Sequence, residues 1–160
     1  MNQGDRVGML RDKLNENLKD AMRAKEPRRL STLRLILAAI KDRDISMRTQ
    51  DTSEEDDDAV IMGILSKMIK QRRDSITAYE EAGRLELAER ERDEIGVIEA
   101  FLPKQLSEEE VADAVRGVVA ELGAEGLKDM GRTMGALKEK YEGQMDFSRA
   151  SMVVKEMLSA

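Results

Sequence analysis

The sequence predicts an all-α protein of two small helical bundles, four helices over residues 1–103 and three over residues 104–160. Three observations lead there. Ala, Glu, Lys, Leu, Arg and Met dominate, while two prolines, two phenylalanines, two tyrosines and no tryptophan leave few strand formers. Apolar residues recur at three- and four-residue steps, the period of one helix face. Proline, glycine and capping signals then cut this pattern into seven segments.

The first segment runs from Val7 to Lys25, with Val7, Leu10, Leu14, Leu18 and Ala21 on one face. Pro27 ends it and opens the second, because its ring tolerates only the first helical turn. Leu30, Leu33, Leu37 and Ile40 form the second stripe, which runs to about Met47. Thr49–Asp58 is polar and acidic, and Thr52 with Glu55, or Ser53 with Asp56, has capping-box spacing for a third helix. The carboxylates Glu54–Asp58 then face the positive helix end. An EF-hand needs alternating ligands, a central Gly and a Glu at its twelfth position, which this run lacks, so it is assigned as a solvated helix start.

Ile61, Leu65, Met68, Ile76 and Tyr79 line the third helix, which Gly83 stops. Leu87, Ile95, Ile98 and Leu102 line the fourth, and Pro103 closes it. At about 100° per residue Arg72 falls inside the third stripe and Glu91 inside the fourth, with Glu94 at its edge. Apolar stripes rarely hold unpaired charge, so Arg72 is expected to meet Glu91 or Glu94 as a structural ion pair.

Ser107-Glu108-Glu109-Glu110 is a capping box that marks a new start and a domain boundary. Val111, Val115, Val118, Val119 and Leu122 then define a fifth helix ending at Gly123. A short sixth covers about Leu127–Tyr141, and the seventh, from about Asp146, buries Phe147, Ala150, Val153, Val154 and Met157 or Leu158. No repeat of solenoid length is visible.

With neither Cys nor His among 160 residues, the chain lacks disulfides, thiolate nucleophiles, Cys/His zinc sites, the Ser-His-Asp relay and the usual neutral-pH base. No catalytic residue, metal or cofactor is assigned. There is no apolar run of membrane-spanning length and Met1–Gly8 lacks a secretory layout, so no membrane association and a cytoplasmic location are expected.

A net charge of −6 argues against broad attraction to nucleic acid. Its distribution is uneven. Residues 6–48 carry 12 Lys and Arg against 6 Asp and Glu, residues 49–103 carry 7 against 15, and residues 104–160 carry 8 against 11. The first helical hairpin is therefore basic and the second acidic. Arg23, Lys25, Arg28, Arg29 and Arg34 gather near the first turn as a solvated face or a second contact area. Without interleaved aromatics, base stacking has no support, which leaves shape and backbone for any nucleic acid to be recognised by.

The stretch Lys128–Lys138 stands out because Gly131 and Gly135 sit inside a helical pattern, where each costs about 1 kcal/mol relative to Ala. Met130, Met134, Leu137 and Tyr141 group on one side as core. Gly131, Gly135 and Lys138 form an adjacent bare strip bordered by Lys128 and Arg132. Spacing leaves two readings: the glycines admit a neighbouring helix, which the spacing alone favours, or a phosphodiester backbone docks on the strip.

Four segments together carry a family likeness: Leu33-Arg34-Leu35-Ile36, Lys70-Gln71-Arg72-Arg73-Asp74-Ser75-Ile76, Phe101-Leu102-Pro103-Lys104-Gln105-Leu106-Ser107, and Lys128-Asp129-Met130-Gly131 to Leu137. On these the chain resembles the GatB/YqeY family over about residues 7–159. The resemblance implies a larger N-terminal bundle and a three-helix C-terminal one. It also implies kinship with the tail of the GatB subunit of the glutamine-dependent Asp/Glu-tRNA amidotransferase, a carbon–nitrogen ligase using glutamine as amido donor, and with a module of some glutaminyl-tRNA synthetases.

In those settings the domain touches tRNA. The resemblance thus implies tRNA contact at Lys128, Gly131, Arg132, Gly135 and Lys138, and an aminoacyl-tRNA synthetase or amidotransferase as the enzyme assisted. The catalytic cradle of the GatB subunit belongs to a separate domain, so no amide-transfer site is expected. Relatives show a Lys-Gly-Arg-Ala-Asp-like turn before the last helix where this chain has Glu142-Gly143-Gln144-Met145-Asp146, two positive charges fewer. The competing reading is a helical protein–protein adaptor with no nucleic-acid role.

Overall fold

A computed structural model describes residues 9–51 and 56–159. These form seven α-helices and no strand among the described residues. The chain divides into two compact units, Met1–Pro103 and Lys104–Ala160.

The first unit holds α1 (Met9–Arg23), α2 (Pro27–Ser46), α3 (Asp57–Glu81) and α4 (Leu85–Glu99). Pro27 sits at the start of α2, where its missing N–H costs nothing. The turn before it places Lys25 at φ +54. The expected caps at Thr52, Ser53 and Glu55 lie outside the described residues, as does Val7. The cap that is described is Asp56, whose carboxylate accepts from the Asp58 and Ala59 amides.

Its two neighbours, expected to be solvated, have tertiary roles instead. Asp57 takes the Arg11 guanidinium at 2.8 Å, which also meets Asp44 at 2.9 Å. Asp58 accepts from the Leu10 amide at 3.1 Å, satisfying an otherwise orphan donor in the first turn of α1.

Leu14, Leu33, Ile36, Ile61, Leu65 and Ile98 are fully buried together, and Phe101, two residues beyond α4, closes the cluster. The structure also bears out the ion pair expected at Arg72. Its Nε donates to Glu94 at 2.9 Å, Glu91 lies at 4.0 Å, and the Arg72 side chain is only 13% exposed. Burial, and next the nearby Glu94 charge, raise the Glu91 carboxyl above its ordinary value.

The second unit holds α5 (Glu108–Leu122), α6 (Met130–Lys140) and α7 (Phe147–Ser159), with a 3-10 turn at Leu127–Asp129 before α6. Ser107 and Glu110 form the full reciprocal capping box. Gly123, at φ +62, ends α5 in the left-handed conformation that glycine adopts without strain. Val115, Val118, Leu137, Ala150, Val154 and Leu158 make the core. Between α6 and α7 the Gln105 side chain donates to the Gly143 carbonyl at 2.6 Å and the Leu106 amide to the Gln144 carbonyl at 2.9 Å. The departing segment 142–146 is thereby pinned to the linker before α5.

Candidate nucleic-acid interface

The helix carrying the bare strip starts later than its apolar pattern suggests, because Leu127–Asp129 is wound as 3-10. Asp129 closes that turn and is only 8% exposed.

Asp129 then organises the junction. Its carboxylate accepts from the Glu125 amide at 2.9 Å, the Gly126 amide at 3.3 Å and Arg132 Nε at 3.0 Å. The Glu125 amide first, then Arg132, hold its carboxyl below the usual carboxylate range. Arg132 Nη1 also donates to the Leu122 carbonyl at 3.0 Å, so one guanidinium joins the last turn of α5 to the first of α6. Thr133, fully buried, donates its hydroxyl to the Asp129 carbonyl at 2.8 Å.

The five residues singled out from sequence therefore separate into two groups. Arg132 is a structural clip whose charge is largely answered by Asp129, although half of its side chain remains exposed. Gly131 and Gly135 are both exposed, and a Cβ built on either would meet no described atom within 4 Å beyond the backbone of its own helix and its chain neighbours. Among the described residues no neighbouring helix plugs the notches. Lys128 and Lys138 are exposed and have no ion-pair partner among the described residues.

They stand ten residues apart, on the order of 15 Å along the helix. Lys140, close by in sequence, is drawn off by Glu121 at 3.6 Å. What the strip offers is thus a stretch of bare backbone with a free ammonium at each end.

Sequence reasoning missed Asp129 and Thr133. The opposite charges of Asp129 and Arg132 at i, i+3 were a usable signal. The basic cluster of the first hairpin is largely neutralised: Arg23 pairs with Asp20, Arg28 with Asp93 at 2.7 Å, and Arg29 with Glu26 and Asn17.

Comparison with known proteins adds the family. Proteins named "Altered inheritance of mitochondria protein 41, mitochondrial" are similar to this chain. The one from Lachancea thermotolerans is 35% identical over 68% of this chain and 57% of its own length. That from Kluyveromyces lactis is 35% identical over 68% and 58%, and that from Clavispora lusitaniae 29% identical over 94% and 86%. The chain thus spans less than three fifths of the first two relatives.

Their names place these relatives in mitochondria, which overturns the cytoplasmic expectation. That expectation rested on features a mitochondrial protein can equally lack. Among the described residues no helix is long and apolar enough to cross a membrane, and this does not choose a compartment. A family profile described as "Yqey-like protein" matches residues 11–158, nearly the whole chain. Helical architecture, linker motif and profile agree, and the chain belongs to the YqeY-like protein family.

Proposed function

We propose that this chain is an accessory tRNA-binding module, without a catalytic site of its own, whose C-terminal unit meets the phosphodiester backbone along the exposed face of α6. It serves an aminoacylation or transamidation enzyme, as the tail of the amidotransferase GatB subunit does within its own complex. One observation carries the reading: Gly131 and Gly135 face open space, flanked by the unpaired Lys128 and Lys138. An interior helical glycine lowers stability by about 1 kcal/mol relative to Ala. Here no described neighbour packs against either one, which leaves both open to close approach by an outside backbone.

The test is binding of bulk tRNA to the full chain across a salt series. Backbone docking gives a negative slope of log affinity against log salt, and Lys128→Gln and Lys138→Gln each reduce it by about one. Gly131→Ala with Gly135→Ala weakens binding while raising the thermal midpoint, because each Ala adds about 0.4–1 kcal/mol where nothing clashes. A packing role for the glycines would lower that midpoint instead. Absence of tRNA binding at low salt, or equal affinity in all variants, sinks the reading and leaves the protein–protein adaptor.

A further inference from the structure

Helix α2 is apolar on two sides. Leu33, Ile36 and Ile40 point into the core, yet Leu35 is 46% and Ile45 49% exposed on the other side. At about 100° per residue Leu35, Ala38, Asp42 and Ile45 fall within roughly 80° of one another. Their spacing is that of alternating seam positions in a heptad. Arg34 and Lys41 border this seam along one edge, seven residues apart, and Arg48 follows after seven more in the turn beyond the helix. All of these residues are exposed, and none of the three cations has an ion-pair partner among the described residues. Other arginines of the same hairpin, Arg11, Arg28 and Arg29, are paired.

We propose that the outer face of α2 docks an acidic amphipathic helix from a partner protein. Leu35, Ala38 and Ile45 meet its apolar seam, and the Arg34–Lys41–Arg48 row meets carboxylates on its flank. Charge complementarity selects this occupant over a second copy of the chain. In a parallel pair of α2 helices the basic row would face Ala39 and Ser46, and in an antiparallel pair it would face itself, so neither arrangement supplies a carboxylate. The apolar residues argue likewise against a polyanion, which would neutralise the row but leave Leu35 and Ile45 in water. Asp42 interrupts the seam, so a single Lys opposite it in the partner fixes the register. This surface lies on the first unit and does not depend on the tRNA reading of the second.

The probe is a fluorescein-labelled three-heptad peptide with Leu at the seam, one central Lys at the seam and Glu at the flanking positions, titrated with the full chain by anisotropy. The Glu-flanked peptide binds at least about tenfold more tightly than its Lys-flanked counterpart. Arg34→Glu with Lys41→Glu reverses that order, and Leu35→Ser with Ile45→Ser removes binding with unchanged helical circular dichroism. Equal affinity for the two peptides, or an order that charge reversal leaves intact, overturns the proposal. So does a concentration-dependent dimer that Leu35→Ser splits, or a loss of bulk tRNA affinity in the Arg34→Glu, Lys41→Glu variant. Lys128→Gln with Lys138→Gln should lose tRNA and keep the peptide, so failure of one reading does not pass for failure of the other.

Discussion

The two units are tied together by different means. In the first, charged side chains bridge helices: Arg11 joins α1 to α2 and α3, Arg28 joins α2 to α4, and Arg72, Arg73 and Arg92 tie α3 to α4. In the second, the fixings gather at helix ends, in the Ser107–Glu110 capping box, the left-handed Gly123 and the Asp129–Arg132 clip. The difference bears on where free charge ends up. Bridging commits Arg11 and Arg28 of the basic first hairpin to its acidic neighbour and leaves Arg34, Lys41 and Arg48 without an ion-pair partner among the described residues. The end-fixed unit, although net acidic, keeps Lys128 and Lys138 uncommitted beside bare backbone. Net charge by segment is therefore a poor guide to charge available for binding.

The largest expected effect strikes a bridge. Arg72→Ala leaves the partly buried Glu94 and Glu91 beside each other without their cation, and should cost about 2 kcal/mol in urea unfolding. A loss below about 1 kcal/mol would mean that the bridges decorate the first unit rather than hold it. Next comes the clip. Arg132→Ala removes two hydrogen bonds and should cost about 1.5 kcal/mol, with amide exchange accelerating in the turn before α6.

The same junction has an acid limb. Because the Asp129 carboxyl is depressed in the folded state, its contribution is fully present above the ordinary aspartate range and fades as pH falls through the folded value. Asp129→Asn should flatten that decline in a pH series of melting midpoints. Ser107→Ala removes the capping acceptor at the head of α5 and should cost about 1 kcal/mol, which would show that end-fixing is spread over several sites.

The smallest effect is a gain. With the Glu91 carboxyl raised on folding, its ionisation disfavours the native state as pH climbs from the ordinary glutamate value to the folded one. Glu91→Gln should therefore slightly outlast the parent near neutral pH and match it in acid. An equal difference at both pH values would assign the effect to packing.

Much of the architecture was legible, because a helix buried on one side writes its period into the chain and its ends demand particular residues. Pro27, Gly83, Ser107 and Gly123 all stand at the breaks they signalled. The Arg72 pairing was legible for the same reason, since a cation in an apolar stripe demands a partner on the facing stripe. The irregular junctions were not. Periodicity has no purchase on a 3-10 turn, so the burial of Asp129 there had no signal in an α-helical projection. Phe101 lies past the end of α4, where helical spacing no longer applies. The roles of Asp57 and Asp58 depend on residues some 46 and 48 positions away, which local capping rules do not reach. At the candidate site, the openness of the two glycines required the neighbouring helices to be in place, because spacing fits a packed notch and a vacant one equally well.

Asp56, Asp57 and Asp58 are chemically interchangeable yet serve three separate tasks, one capping its own helix, one gripping Arg11 and one seating the first turn of α1. Each task is assigned by direction, and adjacent residues on a helix point about 100° apart. Inserting or deleting a single residue just inside α3 would keep the composition of this acidic run while turning its carboxylates away from their targets at once. Such a length change should thus be far more damaging than swapping any one of them for Glu, a frame-like constraint in a stretch that looks like filler.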